Sequence, residues 1–129
     1  MLENIKVGLT NKVERMVTDQ NTAAAAGSGA LPVFATPQMI SMMEQAAFQL
    51  LKGEPICEDS VGTYIEVRHT RGCLPGNKVW AVATITNVDR RAVDFEVVAY
   101  DQKGEIGRGR HSRFCVDANK FLQKLIDSQ

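Results

Sequence analysis

The stretch from residue 36 to residue 52 constrains the fold most, because its pattern is typical of one long amphipathic helix. Thr36 is a favoured N-cap residue type, since its hydroxyl can accept hydrogen bonds from the free N–H groups of the first turn. Pro37 then suits the first helical position. No further glycine or proline interrupts the chain before Gly53, which is a plausible stop. The sequence therefore predicts a long helix that begins at a Thr36 cap.

The predicted helix has a polar and an apolar stripe, and Glu44 does not belong to the polar one. The polar stripe comprises Gln38, Ser41, Gln45, Gln49 and Lys52, and the apolar stripe comprises Met39, Ile40, Met43, Ala46, Ala47, Leu50 and Leu51. At about 100° per residue, Glu44 lies on the flank of the apolar stripe. It is either a carboxylate that reaches solvent or an arginine, or a partly desolvated group suited to act as general base or nucleophile.

Strand patterns surround the helix. Asn11–Thr18 alternates before it, and four further stretches follow it, near residues 61–70, 79–85, 93–99 and 105–116. In the first of these four, Val61, Thr63, Ile65, Val67 and His69 share the apolar face. Short turns separate the strands, and Asp117 can cap a final helix. The order predicts an α+β fold in which a curved five-stranded antiparallel sheet buries its apolar face against the helix.

The amino-acid composition limits which functions and partners are expected. With 129 residues, 44% of them hydrophobic and 23% charged, the chain is predicted to be one globular domain. Its formal net charge of zero gives no general attraction to nucleic acid or an anionic membrane. No apolar run reaches the length of a membrane span, and no secretory signal is visible. Cys57, Cys73 and Cys115 have no CxxC spacing, so reduced thiols in a cytoplasmic protein are the simplest interpretation.

The segment from residue 19 to residue 32 leads directly into the helix. Gly27 and Gly29 interrupt its run of alanines, which predicts a mobile connection that could include one helical turn. Loops of this length are often lids. We therefore expect the segment to cover whatever chemistry takes place at the helix N-terminus.

Several side chains could carry chemistry. A helix N-terminus attracts anions, so Thr36 could serve a binding site as well as a cap. It lies about 12 Å of helical rise from Glu44. A lone histidine at the end of a strand's apolar face is more often a core residue than a catalyst. A catalytic role for His69 is favoured only if the sheet brings it to the helix. His111 is interpreted as structural or surface. His69 and Cys73 are too few ligands for a zinc site, so no metal is predicted.

Short motifs follow one another in a fixed order along nearly the whole chain. They are VFAT at 33–36 with Glu44 eight residues on, Gly62-Thr63, His69-Thr70, Pro75-Gly76, and Glu105-Ile106-Gly107 with Gly109, His111 and Arg113. In this order they resemble the hotdog-fold acyl-CoA thioesterases of the fluoroacetyl-CoA thioesterase type.

The resemblance implies a single hotdog domain over residues 1–129. It also implies a homodimer or higher oligomer whose sheets join edge to edge, with active sites at the subunit interface. The implied catalytic group is Thr36, Glu44 and His69, with Glu44 as nucleophile or general base and the other two assisting. Substrate-binding residues are implied at Phe34, Gly62 and Arg113. Coenzyme A is then part of the substrate, so no separate cofactor is expected.

The resulting hypothesis is a cytoplasmic enzyme that hydrolyses an acyl-CoA thioester. The acyl group stays open, because residues 23–30 are small and no aromatic residue precedes Phe34 to build a narrow gate. The alternative is a non-hydrolytic hotdog module that binds a CoA-like or other small ligand. A hotdog dehydratase or hydratase is a weaker third. Neither nucleic acid nor a membrane is an expected partner.

Overall fold

A five-stranded antiparallel sheet and one long helix dominate the computed structural model, which describes residues 4–129. The elements are β1 (Thr10–Met16), a 3-10 turn (Asp19–Asn21), α1 (Ala23–Ala26), α2 (Thr36–Leu51), β2 (Asp59–His69), β3 (Lys78–Asp89), β4 (Ala92–Asp101), β5 (Gly104–Val116) and α3 (Ala118–Ser128). The strand order is β1-β3-β4-β5-β2, which leaves β1 and β2 at the two edges. Helix α2 packs against one face of the sheet, and this confirms the predicted architecture.

The core lies between α2 and the sheet. Its helical side is built from Met39, Met42, Met43, Ala46, Ala47 and Leu51, and all six are fully buried. Every second residue of β3 from Val79 to Ile85 faces the helix and is fully buried. The helical period and the strand period therefore bring two apolar faces together, but Met42 is an addition to the predicted stripe, and Ile40 and Leu50 are only partly buried.

The N-cap of α2 lies one residue earlier in the chain than predicted. Ala35 is the N-cap, with extended backbone and no side-chain cap, and its carbonyl accepts from the N–H of Gln38 and of Met39 at 3.0 Å. Thr36 is therefore the first residue of α2 and Pro37 the second, so the prediction of Thr36 as N-cap is wrong. The Thr36 hydroxyl is left free for another partner.

The predicted inward face of β2 is only half-buried. Thr63 and Ile65 are exposed, whereas Val61, Val67 and His69 are partly covered. The reason is that β2 pairs only with β5, so its other edge is open. The register also shifts between Gly62 and Tyr64, which is the mark of a β-bulge.

Two glycines of β5 allow backbones to approach closely. A Cβ at Gly107 would lie 2.6 Å from Met39 Sδ and 2.7 Å from the Arg68 carbonyl oxygen. A Cβ at Gly109 would overlap the carbonyl oxygen of Glu66 on the neighbouring strand. Both glycines therefore set how tightly β2, β5 and α2 fit together.

The segment before α2 forms two short helical turns rather than one. The Thr18 hydroxyl caps the 3-10 turn, and the Thr22 hydroxyl accepts from the N–H of Ala25 at 3.2 Å. The N–H of Ala23 also donates to the Val33 carbonyl at 2.7 Å, which ties the segment to the approach to α2. Its role as a lid stays a prediction.

The prediction of three reduced thiols is wrong for two of the cysteines. Cys57 and Cys115 form a disulfide, with Cα atoms 4.8 Å apart, while Cys73 is free and buried. The pairing of β2 with β5 brings the two cysteines near each other, because Cys57 lies two residues before β2 and Cys115 lies near the end of β5, opposite Ser60. The cysteines therefore no longer argue for a cytoplasmic location.

The C-terminal helix begins where the sequence predicts. The Asp117 side chain accepts from the N–H of Lys120 at 3.1 Å and caps α3. Phe121, Leu122 and Leu125 lie on this helix and remain 37–55% exposed. Within residues 4–129, no helix combines the length and the apolar character needed to cross a membrane.

Candidate active site

The N-terminus of α2 meets the end of β2 through one side-chain hydrogen bond. Thr36 Oγ1 lies 2.8 Å from His69 Nδ1. The bond is possible because Thr36 does not cap its own helix and because His69 is the last residue of β2. The sheet therefore brings His69 to the helix, so the condition for a functional role of His69 is met. We call these two residues the Thr36–His69 pair.

The other ring nitrogen of His69 has no protein partner. Nε2 is buried, and no hydrogen-bond partner for it occurs among residues 4–129. A buried polar atom without a partner is costly, and a catalytic role is one of the explanations for such an atom. Burial lowers the pKa of His69, against the opposing effect of a backbone hydrogen bond at Arg71. A lowered pKa favours the neutral imidazole near pH 7.

Glu44 lies in a different group of side chains. A Cβ built on Gly62 would lie 3.0 Å from Glu44 Oε2, 3.2 Å from His111 Cε1 and 3.6 Å from Arg113 Nη1. The missing side chain of Gly62 is therefore what allows these three groups to converge on β2. We call Glu44, Gly62, His111 and Arg113 the Glu44 cluster. Glu44 is half-buried and faces an open cleft of about 380 Å³.

Arg113 is the buried cation of the Glu44 cluster, with 8% of its surface exposed. Its Nε donates to Ser60 Oγ at 2.8 Å and its Nη2 donates to the Ser60 carbonyl at 2.9 Å. Its guanidinium also lies 5.6 Å from the centre of the Phe48 ring. Burial lowers the pKa of Arg113, and the negative charge of Glu44 acts in the opposite direction.

His111 and Ser60 are missed by the sequence reasoning. His111 is 1% exposed, so the surface interpretation is wrong, and its Nε2 lies 3.1 Å from Arg113 Nη1. One signal was available, because His111 and Arg113 stand two residues apart on a strand and so share a face. Ser60 gave no such signal, since only the pairing of β2 with β5 brings it to Arg113.

A single chain does not bring Glu44 to the Thr36–His69 pair. Gly62 and His69 are seven residues apart on β2, which corresponds to about 23 Å of extended strand. Because the Glu44 carboxylate is next to Gly62, it lies more than about 10 Å from the His69 ring. The chain therefore holds the candidate residues in two separate groups, the Glu44 cluster and the Thr36–His69 pair, which we call the two candidate half-sites.

Phe34 is a core residue within one chain. Its exposure is 1%, and its N–H donates to the Cys73 carbonyl at 2.8 Å. The predicted contact of Phe34 with substrate stays a prediction. No group of three or more His, Cys, Asp or Glu side chains that could hold a metal ion occurs in the described part of the chain.

Comparison with known proteins identifies the family. Residues 17–119 match the model of the FlK family, described as fluoroacetyl-CoA-specific thioesterase. The chain belongs to this family. It is therefore a thioester hydrolase, as the resemblance implied. A fluoroacetyl-CoA thioesterase from Streptantibioticus cattleyicolor is 38% identical over 95 residues, which cover 72% of this chain and 68% of the relative.

Solved structures agree with this assignment. A crystal structure of a mutant of the fluoroacetyl-CoA-specific thioesterase FlK superposes with a TM-score of 0.88 at 30% identity, covering 98% of this chain and 99% of that one. A hot-dog-like protein from Thermanaerovibrio acidaminovorans is 20% identical, with a TM-score of 0.86 and coverage of 96% and 93%. The second likeness concerns the fold alone. Together they confirm the predicted hotdog fold.

Proposed function

We propose that this protein hydrolyses acyl-CoA thioesters to a free acid and coenzyme A. The observation that carries the proposal is the hydrogen bond between Thr36 and His69 at the N-terminus of α2 in a chain of the thioesterase family. A thioester carbonyl develops negative charge when it is attacked. A hydroxyl donor at the positive end of a helix dipole is suited to stabilise that charge.

Either Thr36 or His69 can donate the hydrogen bond that polarises the substrate carbonyl. A neutral His69 can donate from Nδ1 to the Thr36 oxygen, which leaves the Thr36 proton for the carbonyl oxygen of the substrate. Alternatively, Thr36 donates to Nδ1, and Nε2–H becomes the donor to the substrate. In both arrangements the lowered pKa of His69 favours a neutral hydrogen-bonding group over a cation.

Glu44 supplies the attack in this proposal. As a general base it takes a proton from water while the water oxygen bonds to the carbonyl carbon. The carbon–sulfur bond then breaks, and the departing thiolate of coenzyme A takes up the proton. As a nucleophile the carboxylate itself bonds to the carbonyl carbon, releases the thiolate, and is freed when water cleaves the resulting anhydride. Both routes consume one water for each thioester.

The separation of the half-sites supports a homodimer with shared active sites. Strand β2 is an open edge, and a second β2 strand can pair with it antiparallel. With the two-fold axis at Glu66, Gly62 of one subunit comes opposite His69 of the other, because the β-bulge between Gly62 and Tyr64 adds one residue on the Gly62 side of the axis. The Glu44 cluster of one subunit then meets the Thr36–His69 pair of its partner. Light scattering should show a dimer at micromolar concentration, and a monomer would contradict this arrangement.

The acyl group is tested first with the substrate for which the relatives are named. Fluoroacetyl-CoA and acetyl-CoA are the primary probes, followed by acyl-CoA thioesters of increasing chain length and polarity. The short, small side chains of residues 23–30 provide no aromatic gate, so we expect more than one short acyl group to be accepted.

A thiol-release assay over this panel tests the function. The wild-type protein should release coenzyme A from at least one thioester, and Glu44→Gln should lower that rate at least about a hundredfold. Glu14→Gln is the matched control, because Glu14 is an exposed carboxylate on β1 that pairs with Lys12 and Lys78. Binding of acyl-CoA without release across the panel would instead support the non-hydrolytic module.

A further inference from the structure

The Arg113 guanidinium is held from three directions inside the protein. Ser60 accepts two of its hydrogen bonds, one through the side chain and one through the carbonyl, and His111 accepts the third at Nε2. Ser60 is 6% exposed and His111 is 1% exposed, so water does not compete strongly for these bonds. Charge-assisted hydrogen bonds of this kind fix the plane of a guanidinium more firmly than one ion pair can.

The contacts of His111 determine which nitrogen carries its proton. An arginine side chain can only donate, so Nε2 of His111 must accept from Arg113. Nδ1 lies 2.8 Å from the Tyr64 carbonyl oxygen, which can only accept, so Nδ1 must carry the hydrogen. A second proton on Nε2 would direct one N–H against another and place two positive charges side by side. The observed geometry therefore requires the neutral form protonated at Nδ1.

We propose that Ser60 and His111 are positioning residues that hold the Arg113 guanidinium near the Glu44 carboxylate, on the same side of Gly62, and that His111 does so only as the neutral Nδ1–H form. Glu44 Oε2 and Arg113 Nη1 lie 3.0 Å and 3.6 Å from the same Cβ position at Gly62, and while burial lowers the pKa of Arg113, the negative charge of Glu44 raises it. Ser60, His111 and Arg113, which we call the Arg113 clamp, keep the carboxylate beside Gly62 on the edge strand β2, where the substrate is expected. The effect of the clamp on catalysis rests on the proposed function, whereas the clamp itself is a property of the folded chain.

Turnover should depend on pH through His111. Protonation of His111 breaks its bond to Arg113, so turnover should fall as pH falls through the pKa of His111. Burial is the largest influence on that pKa and lowers it, Arg113 lowers it further, and Glu44 and the Tyr64 backbone bond act the other way. The remaining charged groups nearby are Asp59, which faces Arg113, and Asp94 and Arg110, which line a cleft beside His111.

Nitrogen NMR of the wild-type protein tests the clamp without any substrate. The two imidazole nitrogens of His111 should show the chemical shifts of a neutral ring protonated at Nδ1, and they should change together with the Arg113 Nε–H signal as pH falls. A ring protonated at Nε2, or a cationic ring at neutral pH, would overturn the proposal. This readout stays valid even if no acyl-CoA is hydrolysed, in which case only the proposed function fails.

Kinetics of three variants test the consequence for turnover. His111→Phe keeps a flat ring next to Phe95 but removes the acceptor, and it should lower kcat at least about tenfold with a smaller change in KM. His111→Asn keeps one donor and one acceptor that do not titrate, so it should recover much of the loss and remove the acid-dependent decline assigned to His111. Ser60→Ala, which retains the carbonyl acceptor, should have an effect between the two.

His69 also titrates in acid, so the comparison between variants decides the outcome. An acid decline in His111→Asn at the same pH as in the wild type would assign the decline to another group and overturn the pH part of the proposal. Equal loss in His111→Phe and His111→Asn, with unchanged melting temperatures, would overturn the positioning role.

Discussion

The two half-sites differ in how firmly the chain holds them. The Glu44 cluster contains a buried arginine with three hydrogen bonds, and it lies next to the strand pairing that the Cys57–Cys115 disulfide secures. The Thr36–His69 pair depends on one hydrogen bond between the first residue of a helix and the last residue of an edge strand. The chain thus holds the charged group rigidly by itself and leaves an unpartnered nitrogen, His69 Nε2, where substrate and a second subunit are expected.

Complementation between subunits should give the largest effect and tests this division directly. Glu44→Gln and His69→Ala should each lower kcat/KM by about 10² to 10⁴, because each removes one participant in proton transfer or carbonyl polarisation. Co-expressed chains should recover about a quarter of wild-type activity, since half of the dimers are mixed and each mixed dimer has one complete site of two. A mixture as inactive as its parents would contradict an active site that combines Glu44 of one chain with His69 of the other.

Loss of the disulfide should be the next largest effect, and it concerns stability. The bond closes a loop between residues 58 apart in sequence, so chain entropy assigns it about 2–4 kcal/mol of unfolding free energy. Urea denaturation with and without a thiol reductant measures this difference. The double variant Cys57→Ser/Cys115→Ser is the control, because reductant should no longer change its stability. An equal midpoint for wild type in both conditions would contradict the role of this brace.

Two glycine substitutions compare the space at Gly62 with the space at a glycine outside both half-sites. Gly62→Ala should lower kcat/KM about tenfold, because the new methyl group lies 3.0 Å from Glu44 Oε2 and displaces the carboxylate. Gly72→Ala is the matched control, since its methyl group would meet only Val33 Cγ1 at 4.0 Å. Steady-state kinetics and melting curves of both variants provide the measurement. Equal effects of the two changes would show that crowding at Gly62 is not the cause.

The smallest expected effect is at Thr36, where activity and stability should separate. Thr36→Val removes the hydroxyl that binds His69 and should lower kcat about fivefold to tenfold, whereas Thr36→Ser should retain most activity. Because Ala35 is the true N-cap, unfolding free energy should change by less than about 0.5 kcal/mol in either variant. A loss of about 1–2 kcal/mol in Thr36→Val would restore the capping role that the sequence predicts.

Local patterns predict the elements of this fold well. The alternation of Val79, Ala81, Ala83 and Ile85 and the Asp117 cap depend on neighbours in sequence, and both occur as expected. The edge position of β2 could not be predicted in the same way. Whether a strand lies at the edge or the centre depends on pairing between distant segments, which an alternating pattern does not encode.

The candidate site shows the same limit. Thr36, Glu44 and His69 follow from motif and position, and the contact of Thr36 with His69 is present. The binding of Arg113 to Ser60 depends on residues 53 positions apart, and the Cys57–Cys115 bond depends on the same strand register. Topology, and not composition, decides these partners.

The open edge of β2 affects how the chain behaves whenever nothing covers that edge. Strand β2 has eleven residues, an open edge with unpaired backbone groups, and the exposed side chains of Tyr64 and Ile65. Such an edge can pair with any other extended segment. If this edge is covered by a second β2 strand, dissociation of the two chains exposes it to pairing with other chains, which leads to aggregation. Thermal stability should then rise with protein concentration, as it does for any fold completed by association.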